Sequence, residues 1–120
     1  MAIQFNPNDD LIAGIVAPFP TVSVVFAQGT DKFERGAVLK TTSQKADGTY
    51  VVELVSDVAD TPFTILADPF VDPTDGETPA TGFVGGEFNR DALIFGGTVK
   101  VEDMEEKLRN VGLITKRVVK

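Results

Sequence analysis

The groups in this chain with types suited to chemistry are eighteen carboxylates and a few hydroxyls, because the sequence has no histidine and no cysteine. Ser23, Ser43 and Ser56 therefore lack the imidazole that would activate a serine nucleophile. Thiolate and imidazole zinc sites are excluded by the same absence. A pair of carboxylates for general acid–base work stays open, since so many acids can supply two at a suitable distance. With one tyrosine and no tryptophan, a sugar platform would have to be built from phenylalanine. Gly82-Phe83-Val84-Gly85-Gly86 runs into Glu87, whose charge would repel a phosphate, and no P-loop follows. Asp72-Pro73-Thr74-Asp75-Gly76-Glu77 admits two readings. One is a calcium loop, although its first acids are three apart where alternating oxygens are needed. The other is a plain Pro-x-Asp-Gly turn. The inventory thus predicts no catalytic, cofactor or metal site, and a protein that is not an enzyme.

Positioning signals are far denser than chemical ones. In Gly85-Gly86-Glu87-Phe88-Asn89-Arg90-Asp91-Ala92-Leu93-Ile94-Phe95-Gly96-Gly97, Asn89 is an N-cap for a short turn with Asp91 at its positive end. Gly96-Gly97 stop that turn. Val101, Met104, Leu108 and Val111 then share one face at helical spacing, with charged residues around the rest. Gly112 is placed as the C′ glycine, and Leu113 can fold back on the helix end. Glu87 lies i,i+3 to Arg90, which predicts a surface ion pair.

Earlier in the chain, Thr21–Ala27 alternates as a strand, with Val22, Val24 and Phe26 on one face. Residues 37–41 and 49–54 predict a hairpin around Asp47-Gly48. Phe63–Ala67 is another strand, and Thr78–Glu87 a further one, interrupted at Gly82 and Gly85. Residues 68–79, with three prolines, make a long excursion between them. Strands followed by a single helix predict an α+β fold: a small mainly-β domain, residues 21–120, with a short capped turn and one C-terminal helix. Residues 1–20, punctuated by Pro7, Pro18 and Pro20, read as an extended N-terminal arm.

One domain with one modest core fits 120 residues. A hydrophobic fraction of 42% argues for a folded chain. The net charge of −7 is uneven, with 5 basic against 14 acidic side chains in residues 1–99 and 6 against 4 in residues 100–120. That balance disfavours nucleic-acid binding. The basic end, Lys116-Arg117-Val118-Val119-Lys120, is either a solvated complement to the helix dipole or a tail that docks on an acidic surface. No apolar run approaches a membrane span, and Asp9-Asp10 precede the first apolar stretch, so a soluble protein made in the cytoplasm is expected.

Gly-Glu-Phe-Asn-Arg-Asp-Ala-Leu at 86–93, a glycine-broken spacer and a helix ending Leu-Arg-Asn-Val-Gly-Leu-Ile at 108–114 together resemble the lambda-type head decoration proteins of tailed bacteriophages. Upstream, Phe33-Glu34-Arg35-Gly36-Ala37-Val38-Leu39 is similar to that family's Arg-Gly-x-x-Leu strand start. Gly48-Thr49-Tyr50-Val51 is similar to its return strand, and Ile65-Leu66-Ala67-Asp68 to its central Leu-Ala-Glu-Asp strand. The likeness covers roughly residues 21 to 114 and departs from the family at Pro69 and in a more apolar arm. It implies a structural protein of the virion that sits as a homotrimer on the outer capsid surface, binds the major capsid protein and stabilises the shell. It implies no cofactor, nucleic acid or membrane. Glu87, Phe88, Asn89 and Arg90 would then lie where protomers and capsid meet, although Phe88 is equally readable as a core anchor.

The arm carries Ile3, Phe5, Leu11, Ile12, Ile15, Val16 and Phe19, which is too apolar for an inert tail. Either these side chains pack on the domain's own core, or Ile3, Phe5, Pro7, Leu11, Ile12, Ile15 and Phe19 form a capsid-binding segment that adds to a strand edge of the partner. Two other function classes fit the sequence: a different oligomeric virion module, such as a tail or adhesin component, and a small carboxylate-dependent enzyme with a pocket holding two acids.

Overall fold

The computed structural model of the protein describes residues 11–12 and 19–117. In chain order the strands are β1 (Thr21–Phe26), β2 (Phe33–Glu34), β3 (Val38–Gln44), β4 (Tyr50–Leu54), β5 (Thr64–Leu66), β6 (Phe70–Val71), β7 (Thr78–Phe83), β8 (Gly86–Asn89) and β9 (Leu113–Lys116). A 3-10 turn spans Arg90–Ala92 and one helix, α1, spans Val101–Asn110. The described chain is thus a small mainly-β domain with a single short helix.

Five strands close into a barrel in the order β1-β4-β3-β5-β7. Closure satisfies the main-chain groups that an open sheet would leave at its edges. β1 runs antiparallel to β7, from Thr21↔Phe83 to Phe26↔Thr78, and parallel to β4, from Val24↔Tyr50 to Phe26↔Val52. The β3–β4 hairpin pairs as its alternation predicts, with the register slipping between Thr41 and Ser43 so that Thr42 is bulged out. β2 and β6 form a two-stranded ribbon beside the barrel. β8 and β9 form a second sheet, and they run parallel.

The core has two compartments separated by one wall of the barrel. Val24, Phe26, Leu39, Val52 and Leu66 fill the interior. Val38, Val55, Ile65, Phe88, Met104, Leu108 and Leu113 fill the space between the barrel and the α1/β8/β9 layer. Adjacent residues on β3, Val38 and Leu39, therefore belong to different compartments, as do Ile65 and Leu66 on β5, and all four are fully buried. Side chains alternate across a strand, so a wall covered on both faces reads as a continuous apolar pair.

Helix α1 forms where its spacing indicates. Met104 and Leu108 are fully buried, and the Asp103 carboxylate accepts from the Lys100 amide at 3.1 Å to satisfy an otherwise orphan donor at the first turn. Gly112 follows the helix at φ 87°. Three expectations are corrected. Residues 78–87 are two strands, because the chain turns at Val84-Gly85. Phe70–Val71 pairs with β2, so the proline-rich excursion contains a strand. Leu113 is fully buried as expected, but the stretch leading from it into the basic end is a strand, β9, which pairs along the whole of β8 as far as Lys116.

Candidate interaction surface around strand β8

β8 carries the motif residues Glu87, Phe88 and Asn89 and is the meeting point of three chain segments. β9 pairs with it on one side, from Gly86↔Leu113 to Asn89↔Lys116. On the other side Ile12 forms an antiparallel bridge to Phe88, and the Asn89 amide donates to the Leu11 carbonyl at 2.7 Å. Leu11 is 3% exposed and packs in the outer compartment with Phe88 and Leu113. Phe19 lies edge-on to Phe83 and Phe88, with centroids 5.8 and 5.5 Å away. Such edge contacts add to the energy of simple burial. Gly86, at φ 124°, makes room for that ring, because a Cβ there would sit 2.5 Å from Phe19 Cδ2. Beside it the Val84 amide donates to the Pro20 carbonyl at 3.0 Å.

Leu11, Ile12 and Phe19 are thus packed against the domain, with Leu11 committed to its core, and the described domain reaches back beyond residue 21. Ile3, Phe5, Pro7 and Ile15 lie outside the described residues, so the remainder of the expected arm does too.

The motif side chains divide between packing and charge. Phe88 is fully buried, an anchor of the core. Asn89 caps the 3-10 turn as its type predicts, its side chain accepting from the Asp91 amide at 3.1 Å. Glu87 and Arg90 do not pair with each other, in contrast to the helical spacing, because they belong to a strand and a turn. Glu87 Oε1 instead meets Lys116 Nζ across the β8–β9 sheet, an ion pair without the angular geometry of a hydrogen bond. Arg90 Nη2 reaches Glu102 at 3.1 Å and Glu105 at 2.8 Å on the first turns of α1. Glu105 Oε2 also accepts from the Thr115 hydroxyl at 2.6 Å. Glu102, Glu105 and Thr115 were not singled out from sequence. The available signal was the i,i+3 spacing that puts both glutamates on one face of α1.

Elsewhere the acids are engaged in shaping loops. Asp60 accepts from Lys40 Nζ at 2.9 Å and from the amides of Ser56 and Asp57 at 3.1 and 3.0 Å. These bonds, the one to Lys40 foremost, hold its carboxyl below the usual carboxylate range. Lys40 is pushed up, chiefly by Asp60. Lys107 Nζ closes the same loop by donating to the carbonyls of Val58 and Asp60. In the Asp72–Glu77 segment, Asp72 accepts from the hydroxyl and the amide of Thr74, which lowers its pKa, and the Gly76 amide returns to the Pro73 carbonyl. The segment closes on itself as a turn. Among the described residues no three acids gather closely enough to hold a metal ion. No described helix is long and apolar enough to cross a membrane.

The strand β8 is therefore paired on both sides and anchored in the core by Phe88, and what it leaves at the surface is the paired charges of Glu87, Lys116, Arg90, Glu102 and Glu105. No protein-family model matches the chain, and no curated protein matches it in sequence.

Proposed function

We propose that the protein is a structural binding module of a phage virion, a head decoration protein that stabilises the capsid shell from outside as a homotrimer. The observation that supports it most is the arrangement at β8. The Leu11–Ile12 segment and β9 both pair with the strand carrying the Gly-Glu-Phe-Asn-Arg motif, so an early and a late segment of the chain meet at one patch. In this reading the domain is α+β with an extended arm, and contact with the major capsid protein is made by the arm residues Ile3, Phe5, Pro7 and Ile15. Strand addition would supply main-chain hydrogen bonds, with alternate side chains setting register. Ordering such a segment costs roughly 2–5 kcal/mol, so one protomer binds weakly and three linked arms gain by effective concentration. The shell is stabilised by mass action, as any ligand of an assembled state stabilises that state.

Co-sedimentation with mature capsids lacking this protein tests the reading. Saturable binding in multiples of three, lost when Ile3 and Phe5 are both changed to Asp, is the expected result. Absence of binding at micromolar concentration would return the resemblance to a statement about fold alone.

A further inference from the structure

Asp-Gly occurs twice in the chain, at Asp47-Gly48 and Asp75-Gly76. Such a pair can rearrange without an enzyme, because glycine puts no side chain in the way as its amide nitrogen approaches the aspartate carboxyl. The fold treats the two pairs differently. Asp47-Gly48 turns the β3–β4 hairpin and is held on every side. Asp47 Oδ1 accepts from the Thr49 amide at 3.0 Å, the Gly48 amide donates to the Lys45 carbonyl at 2.9 Å, and the Gly48 carbonyl accepts from Gln44 Nε2 at 3.0 Å. Asp75-Gly76 lies in the turn between β6 and β7. Asp75 is exposed, and its carboxylate makes no hydrogen bond or ion pair among the described residues. The Gly76 amide has only a long bond, 3.3 Å to the Pro73 carbonyl, and a Cβ built on Gly76 would meet no atom within 4 Å.

We propose that Asp75 is a modification site, converted spontaneously to isoaspartate in the folded protein, and that the hairpin protects Asp47 from the same reaction. The Gly76 amide nitrogen gives up its proton and attacks Asp75 Cγ. The new C–N bond forms as the Cγ–OH bond breaks, and the hydroxyl and the proton leave as water. Water then adds to the original main-chain carbonyl of Asp75 and breaks its bond to nitrogen. The main chain now runs through Cγ, the mass is unchanged, and the old carbonyl has become a free carboxylate. Water is the sole co-reactant. Each requirement is easier to meet at Asp75. The neutral carboxyl is the electrophile, and at Asp47 the bonds from Thr49, its amide foremost, favour the charged form and lower the pKa. The carboxyl must also turn toward the glycine amide, which at Asp47 means leaving Thr49. The attacking nitrogen must part from its acceptor, which is close at Gly48 and distant at Gly76. A hydrogen bond of ordinary net strength corresponds to about a factor of five in rate. The product adds one methylene to the main chain between Thr74, whose carbonyl accepts from Gln28 Nε2 at 3.1 Å, and Glu77, which pairs with Lys45. Its new carboxylate is the group that a protein isoaspartate methyltransferase esterifies. This inference goes beyond the capsid reading and does not depend on it.

The test is prolonged incubation of the native full chain at mildly acid pH, where carboxyls begin to take up protons. Cleavage after glutamate then gives peptides 35–53 and 54–77, one for each pair. Isoaspartate is read as a second peak of equal mass, placed at Asp75 or Asp47 by its backbone fragments in electron-transfer dissociation, and as methyl uptake from the methyltransferase. Conversion at Asp75 should be about fivefold or more faster than at Asp47. A parallel incubation in urea removes the fold, and there the two pairs should convert at similar rates. Equal rates in the native chain, faster conversion at Asp47, or no conversion at Asp75 over a period that converts it in urea would overturn the proposal. A contrast as large in urea as in the native chain would overturn it too, by assigning the difference to sequence alone.

Discussion

Gly82 and Thr64 occupy a space that fits only one of their side chains. Thr64 is fully buried on β5 and its hydroxyl donates to the Phe83 carbonyl at 2.6 Å, in line with the neighbouring β7. A Cβ at Gly82 would press on that hydroxyl and lie 2.9 Å from Thr64 Cγ2. Overpacking of this kind costs about 1–3 kcal/mol, so Gly82→Ala should destabilise by that amount in urea denaturation. Thr64→Ala removes the two atoms that press hardest and leaves only its own Cβ, at 3.0 Å. The double variant should recover about 1 kcal/mol relative to the sum of the singles, the size expected for residues in contact. Simple additivity would mean the new methyl is accommodated elsewhere. Asp60 is the residue at which pH should act. Its pKa is lowered in the fold, so its charge contributes stability above roughly pH 4, and that contribution is lost as pH falls through the lowered value. Lys40, whose pKa is raised, keeps its contribution through neutrality and loses it only as pH rises past its raised value. Asp60→Asn should therefore cost about 1–2 kcal/mol at pH 7, with the deficit shrinking below about pH 4. A deficit that stays constant from neutrality into acid would show that the charge contributes nothing.

At the scale of elements, the helix, the hairpin and the first strand were legible because each is dictated locally. Met104 and Leu108 mark their own periodicity, Asn89 its own cap, and Val22, Val24 and Phe26 their own face. The elements that were not legible depend on partners distant in sequence. Leu113-Ile114-Thr115-Lys116 has no alternation that separates it from a tail, and becomes β9 only because β8 lies alongside it. Phe70-Val71 is too short to register except against Phe33-Glu34. The Glu87–Arg90 pair failed for the complementary reason: spacing predicts contact only within a helix, and this segment changes from strand to turn between the two residues. The expected arm holds the same lesson, since nothing in the sequence marks Leu11 as a core residue until β8 accepts its backbone. Leu11→Ala should accordingly behave as a core truncation and lower stability by about 2–5 kcal/mol. A loss below about 0.5 kcal/mol, the range of ordinary surface changes, would return Leu11 to the arm.

Across the whole molecule, the two compartments of the core share a wall, and that should make them unfold together. Val38 and Ile65 face the α1/β8/β9 layer, while their neighbours Leu39 and Leu66 face the barrel interior. Moving the outer layer away would expose one face of β3 and β5 to water and remove the packing that holds those short strands in register. β5 is only three residues long, so its pairing to β3 and β7 is a weak tie unless both of its faces are covered. Neither compartment is then a stable folding unit without the other, and one cooperative transition is expected, as for most domains of this size. Two native probes separate the compartments. Tyr50, the sole tyrosine in a chain without tryptophan, lies 5.1 Å from Phe63 on the barrel side, and far-ultraviolet circular dichroism follows α1 in the outer layer. Their urea midpoints should coincide. Leu108→Ala, a truncation wholly in the outer layer, should lower both midpoints together by an amount equivalent to about 2–5 kcal/mol. Loss of the helical signal with the Tyr50 transition left in place would show instead that the barrel stands alone, and that β3 and β5 need no cover to stay closed.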